Sequence, residues 1–322
     1  MAIFDKPEAV DAQIAQPPSD AISSLARSPA ADLLAVASGN NEVRIYEVQQ
    51  GGASEGRAAY QHEAPVLCVK WSKVPTFLPR RKQVISGGAD NAARLDDATS
   101  GQSIQIAAHD APVRCVEWVD QRGESHVPPL PIAEVQLFER CYVMSCVFPL
   151  LVVGTADRHI LIFDLNNPST PFKTLTSPLH MQTRALSCFP DATGFALSSI
   201  EGRVAIHCVD DRKGSDNFSF KCHREEMKPV PGPPFKAGSS KVYSVKTLEF
   251  HPAGTFVTGA SDGTMTIWDS YSRTRLRVFS DRGGHAVSHD WSQGFAGNSP
   301  TLPNKVILHS FQADEVQRRP KK

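Results

Sequence analysis

An all-β fold built from repeated four-stranded units is what this sequence predicts, and three observations predict it. The first is a recurrence: His62-Glu63-Ala64-Pro65-Val66-Leu67-Cys68-Val69-Lys70-Trp71 returns as His109-Asp110-Ala111-Pro112-Val113-Arg114-Cys115-Val116-Glu117-Trp118, an offset of 47 residues from 62 to 109. The second is a spacing in which a turn residue is followed six positions later by a side chain that closes a strand. The pairs are Asn40–Tyr46, Asp90–Asp96, Asp157–Phe163, Glu201–His207 and Asp262–Trp268. The third is composition, with 24 Pro and 21 Gly in 322 residues, which suits many turns and few long helices. A repeat of about 40–45 residues, four short strands and an aromatic–Asp ending such as Phe163-Asp164 or Trp268-Asp269 is the pattern of a β-propeller.

Along the chain, residues 1–18 are polar, end in Pro and lack a period, so they read as a flexible tail. Met1–Gln13 has an early acidic residue and no apolar core, so it is not read as a signal peptide. The propeller is expected over 19–312. Its turn aspartates can hydrogen-bond the His that leads the same blade, with the closing aromatic packed beneath. On that reading His62, Asp90, His109, Asp157, Asp262 and Trp268 are structural residues. Turn residues 40, 90, 157, 201 and 262 leave gaps of 50, 67, 44 and 61. Lys228–Ser240, rich in Pro, Gly and Ser, accounts for the last gap. The gap of 67 has no such filler. The His109 copy reaches Trp118 and dissolves into Gln121–Pro131, with no Asp turn and no aromatic–Asp strand after it. About half a blade is expected to be absent there, leaving His109 without its Asp. Alternation through Phe195-Ala196-Leu197 and Val204-Ala205-Ile206, with Glu201-Gly202 between, predicts a tight hairpin. Arg184 precedes it, Arg203 follows its turn, and Lys221-Cys222-His223-Arg224 adds a third basic group. Asn304–His309 reads as a closing strand, and 313–322 as a tail ending in basic residues.

Three strings, Gln182-Thr183-Arg184, Ser199-Ile200-Glu201-Gly202-Arg203-Val204-Ala205 and Phe220-Lys221-Cys222-His223-Arg224, resemble in wording and order one family: the mRNA-export WD-repeat propellers of the nuclear pore, with their mitotic-checkpoint paralogue. The resemblance runs from about Pro17 to Lys322. Ala107–Pro112 and the ending Arg319-Pro320-Lys321-Lys322 favour the export branch. It implies a seven-bladed plan with two blades truncated. The second loss falls at Ser280–Ala286, ahead of His289-Asp290-Trp291-Ser292, and Asp96 stands where the family places an aromatic. It also implies that Arg184 and Arg203 grip paired glutamates of a GLEBS-motif nucleoporin peptide, and that Arg273 and Arg275 meet the phosphates of single-stranded RNA. The expected protein is a monomeric adaptor in a hetero-complex. It has no enzymatic activity, cofactor, metal or membrane contact, and works in the nucleus, at the nuclear pore and in part in the cytoplasm. The checkpoint paralogue, binding kinetochore peptides, and a propeller scaffold such as a ubiquitin-ligase receptor stand as alternatives.

Charge excludes little beyond a global field: 34 basic residues balance 34 acidic ones. Seven cysteines, an odd count without CxxC pairs, read as reduced thiols. The eleven histidines show no metal-ligand spacing. Gly52-Ala53-Ser54-Glu55-Gly56 matches the hydrolase motif G-x-S-x-G, which keeps a serine hydrolase acting through Ser54 as a rival. That motif needs a strand before it and a helix after it, and here a turn and a further strand follow. Arg273, Arg275 and Arg277 alternate, so in a strand all three share one face, whether solvated or functional.

Overall fold

The computed structural model describes residues 11–49, 51–73, 82–119, 133–227, 240–279, 304–311 and 313–318. The chain divides into two compact units, one of residues 1–116 and 299–317, the other of 117–298 and 318–322.

In the first unit, β1 (Ala12–Gln13) precedes two four-stranded antiparallel sheets. The first sheet holds β2 (Ile22–Arg27), β3 (Leu33–Ser38), β4 (Glu42–Val48) and β5 (Ser54–Gln61). The second holds β6 (Val66–Trp71), β7 (Gln83–Gly88), β8 (Ala92–Asp97) and β9 (Ser103–Ala108). In the second unit, β10 (Cys141–Val147), β11 (Leu150–Thr155), β12 (His159–Asp164) and β13 (Lys173–Thr176) form one sheet. Another consists of β14 (Thr183–Cys188), β15 (Gly194–Ser199), β16 (Arg203–Cys208) and β17 (Phe218–Lys221). A two-stranded ribbon of β18 (Arg224–Glu226) and β19 (Ser240–Val242) follows. The last four-stranded sheet is β20 (Val245–Phe250), β21 (Thr255–Ala260), β22 (Met265–Asp269) and β23 (Thr274–Phe279). Near the chain's end β24 (Ile307–Leu308) and the short helix α1 (Ala313–Val316) belong to the first unit.

Burial explains why these segments are strands. Every residue of β3 and of β15 is buried, so these second strands are apolar or small throughout, as a strand covered on both faces must be. The fourth strands β13 and β17 alternate between half-buried and exposed, as a strand with one wet face does. Sheets within a unit pack through their first strands, β2 on β6, and β10 on β14 on β20. Side chains tie them across: the Trp71 indole donates to the Ala26 carbonyl at 2.8 Å, and Ser145 Oγ accepts the Cys188 N–H at 3.0 Å. Each first strand carries a β-bulge at the same place, between Ile22 and Ser24, Val66 and Cys68, Cys141 and Val143, Thr183 and Ala185, and Val245 and Thr247. A bulge twists its strand and re-aims the extra residue.

The architecture is that of all-β propeller blades, five of them four-stranded among the described residues. The other two blades of the expected seven are not present as sheets there. Residues 112–119 and 133–137 form no ladder, so the strand expected in the His109 copy does not form. The reason is pairing: among the described residues no strand pairs with this segment, and an unpaired strand leaves its backbone groups unmatched. Instead Val113 and Val116 bury themselves against Cys68 and Ala93, while Val135 and Leu137 pack on Val153, Leu161 and Phe163. The loss expected at Ser280–Ala286, with His289–Ser292, lies outside the described residues, as does most of Lys228–Ser240.

The N-terminal boundary moves. Residues 12–13, inside the expected tail, pair as β1 with β24, Ala12 opposite Leu308 and Gln13 opposite Ile307. Ile14 and Val306 sink beside Leu34, Val36 and Tyr46. His309 Nδ1 meets Asp11 at 2.6 Å, and Asn304 donates to the Asp20 carbonyl at 2.8 Å. The C-terminal segment 313–322 likewise begins in α1, with Glu315 buried.

Candidate functional site

The β14–β17 sheet presents a cluster of cations at one end. Thr183, Ser199, Arg203 and Lys221 lie opposite one another across its four strands, so Arg203 and Lys221 are direct cross-strand neighbours. Arg184 is the bulged residue of β14, beside Thr183 and within the strand rather than before it. Two loops fix the hairpin turn. Arg224 Nη2 donates to the Glu201 carbonyl at 2.7 Å, and Glu201 Oε1 accepts the His180 N–H at 3.2 Å. Gly202 has φ +61°, and a Cβ there would strike the Cys222 and Tyr243 carbonyls at 2.8 and 3.0 Å, so only glycine fits. Arg203 Nε reaches Glu201 at 3.7 Å with both side chains partly wet, a pair worth little by itself. Around the cations Met181, Ile200 and Val242 are exposed. The arrangement can grip carboxylates while covering apolar side chains, because a guanidinium fork binds a carboxylate with two parallel hydrogen bonds.

Lys221-Cys222-His223-Arg224 does not act as one basic group. His223 is buried, its Nδ1 2.9 Å from Asp262 and its Nε2 2.8 Å from Thr258 Oγ1, which also accepts the Trp268 indole N–H at 2.8 Å. This Asp–His–Thr–Trp chain latches the β18 entry to the last sheet. His62 makes the matching latch in the second sheet, with Nδ1 2.9 Å from Asp90 and Nε2 2.9 Å from Ser86 Oγ. Burial alone would push the Asp90 carboxyl up. The His62 hydrogen bond and the Glu63 and Ala92 N–H groups outweigh it and hold the carboxyl below its usual range. Asp262 is held down in the same way by His223 and the Thr264 N–H. In the second sheet the place of Trp268 is taken by Asp96, fully buried, which Ser86 Oγ reaches at 3.4 Å. Asp157 was expected to share this role and does not, whereas His109, expected to lack its Asp, does lack it. The His109 side chain is exposed and its N–H donates to Asn91, while Asp157 sits exposed at φ 57° between β11 and β12. Neither makes a latch among the described residues.

The arginine series divides. Arg273 precedes β23 at φ 55°, and its guanidinium lies 4.4 Å over the Phe218 ring of the adjoining sheet. It therefore leaves the strand face on which it was expected. Arg275 and Arg277 remain exposed on β23, the outer strand of its sheet.

Ser54 opens β5, and its Oγ accepts the Ala15 N–H at 2.9 Å. No helix follows, so the residue anchors the N-terminal segment instead of sitting on a nucleophile elbow. Ser86, His62 and Asp90 do form a serine–histidine–aspartate relay, but Ser86 is fully buried and out of reach of a substrate. Burial pushes the Cys68, Cys188 and Cys222 thiols up to about 12, so none is an activated nucleophile. No group of three metal-ligating side chains occurs among the described residues.

The WD domain, G-beta repeat, matches residues 233–269. The chain is 43% identical over 344 residues to a poly(A)+ RNA export protein of Schizosaccharomyces pombe, covering 97% of this chain and 94% of that one. It is 39% identical to the mRNA export factor GLE2 of Chaetomium thermophilum, with coverage of 96% and 93%. An mRNA export factor of Xenopus tropicalis is 35% identical, with coverage of 97% and 92%. These alignments span 344 to 351 positions against 322 residues here, so each opens gaps in this chain.

Proposed function

This chain belongs to the WD-repeat family of mRNA export factors, and from that premise we propose that it serves mRNA export as a non-catalytic adaptor docking a GLEBS-type nucleoporin peptide at the nuclear pore. The observation that carries the reading is the placement of Arg184, Arg203 and Lys221 at one end of a single sheet, with exposed Met181 and Ile200 in the adjoining segments and exposed Val242 beside Gly202. A peptide with paired glutamates and flanking apolar residues is complementary to that surface. Its carboxylates meet cations carried on neighbouring strands, and its apolar residues cover the three exposed side chains. The protein works in the nucleus and at the pore, with a share in the cytoplasm. Arg275 and Arg277 on the outer strand β23, with Arg273 beside them, support a weak contact with single-stranded RNA.

Removing one partner of a charge-assisted pair at a desolvated interface costs ~2–5 kcal/mol. Arg203→Glu is expected to weaken the peptide at least ~30-fold, about 2 kcal/mol, in isothermal titration calorimetry. Arg184→Glu is expected to act in the same direction. Parent-like affinity in both reversals places the peptide elsewhere.

A further inference from the structure

A cavity of about 800 Å³ opens in the second unit where the β14–β17 sheet meets the β20–β23 sheet. Its walls carry the rings of Phe189, Phe218 and Phe250, with Phe189 set edge-on to Phe250 at 5.1 Å. Tyr271, 54% exposed, stands at the rim. Two guanidinium groups border the opening. The Arg273 guanidinium lies 4.4 Å over the Phe218 ring, a cation–π contact. Arg318 lies so close over Gly254 that a Cβ at that glycine, whose φ is +84°, would meet its Nη2 at 1.6 Å. The volume falls within the ~300–1,000 Å³ of small-ligand sites. Nothing in the peptide reading uses it.

The chemistry of the lining selects among anionic ligands. Aromatic walls accept any planar ring by stacking, and arginines at the mouth hold phosphate. Asp191 and Asp216 also line the cavity. Carboxylates there repel any anionic group that enters, so phosphates stay at the mouth, whereas they accept hydrogen bonds from the exocyclic amine of a base. Arg275 and Arg277 continue from Arg273 along β23 and supply further phosphate contacts outside the cavity.

We propose that this cavity seats one unstacked base of single-stranded RNA, with the adjoining phosphates held by Arg273 and Arg318. The proposal rests on the RNA reading above and adds base contact to it, so phosphate binding and base binding must be separable. Fluorescence anisotropy of the full chain with a labelled adenine ten-mer and with an abasic strand of the same length separates them. The base-bearing strand is expected to bind roughly tenfold tighter, at the lower part of the range for one stacked base. Tyr271→Ala and Thr193→Trp, the second filling the mouth, are expected to erase that ratio. They leave the abasic strand's affinity and salt slope as in the parent, while thermal unfolding by circular dichroism stays parent-like. Equal binding of the two strands by the parent overturns the base seat and leaves the RNA reading standing. No binding of either strand overturns both. Binding of an acidic aromatic peptide that Tyr271→Ala abolishes, with no preference between the strands, assigns the cavity to a peptide and overturns the proposal.

Discussion

At the scale of single residues, Asp96 marks where this chain departs from its own repeat. In the last sheet Trp268 donates to Thr258 beneath the latch, but in the second sheet a carboxylate occupies that place with no access to water. Among the described residues its Oδ1 has no hydrogen-bond partner, and burial pushes the carboxyl above its usual range, against the help of Ser103, His62, Ser86 and Arg94. The sign of the pH effect follows. Below the unfolded carboxyl's pKa of about 4 both states hold the proton. Above it the unfolded chain releases a proton that the folded chain keeps, so this residue's contribution falls as pH rises and levels off once the folded carboxyl has ionised. Asp90 and Asp262, held down, act oppositely: they stabilise the fold above pH ~4 and lose that contribution on acidification. The comparison of parent with Asp96→Asn isolates the first effect, since the other two are common to both. Asp96→Asn is expected to raise the melting temperature at pH 7 and to gain less, or nothing, at pH 4. A gain that is equal at both pH values, or absent at pH 7, rejects the buried-acid account.

At the scale of elements, the His latches fix the loop before a sheet to the hairpin inside it. His223 ties the start of β18 to β21 and the turn before β22, which lie 35 to 41 residues on. His223→Ala leaves the Asp262 carboxylate and the Thr258 hydroxyl short of a partner in a buried setting, at a cost of about 1–3 kcal/mol per group. Urea unfolding at neutral pH is expected to show at least ~1 kcal/mol of lost stability. His109→Ala, in contrast, truncates an exposed ring with no latch and is expected to stay within ~0.5 kcal/mol of the parent. If the two substitutions cost the same, the latch is not what holds the entry to the last sheet. The same scale explains Arg184. Its side chain is aimed by the bulge that all five first strands share, which puts a cation at a position held by Ser23, Leu67, Tyr142 or Lys246 in the others.

At the scale of the whole molecule, the gaps that the relatives' alignments open agree with a chain that has lost strands. One consequence is visible in the first unit, where the outer face of β6–β8 is covered by Val113 and Val116 from a segment with no ladder of its own. A propeller ordinarily gives each blade face a neighbouring blade. Among the described residues these two valines are a thin substitute, since burial contributes in proportion to the apolar area covered. Inserting about 22 residues of strand–turn–strand after Asp120, half of a usual repeat, is expected to raise the melting temperature. An unchanged or lower value means that the shortened segment is already the better cover.

The sequence by itself determined what depends on local pattern: the all-β class, the β15–β16 hairpin with its Glu201-Gly202 turn, the His62–Asp90 pairing, and the family through strings such as Ser199–Ala205. Alternation, turn chemistry and a fixed repeat are properties of neighbours along the chain, so they are legible there. Only the tertiary structure decided what depends on partners brought together by folding. β1 pairs with β24 from the opposite end of the chain, which no local signal in residues 11–18 could announce. His223 is a latch rather than a surface base because Asp262 and Thr258 enclose it from the next sheet. Arg273 leaves its strand face because Phe218 of another sheet offers a ring to lie on. The physical reason is the same in all three. A side chain's role follows from the partners that remove it from water, and in a fold of repeated sheets those partners come from a different repeat.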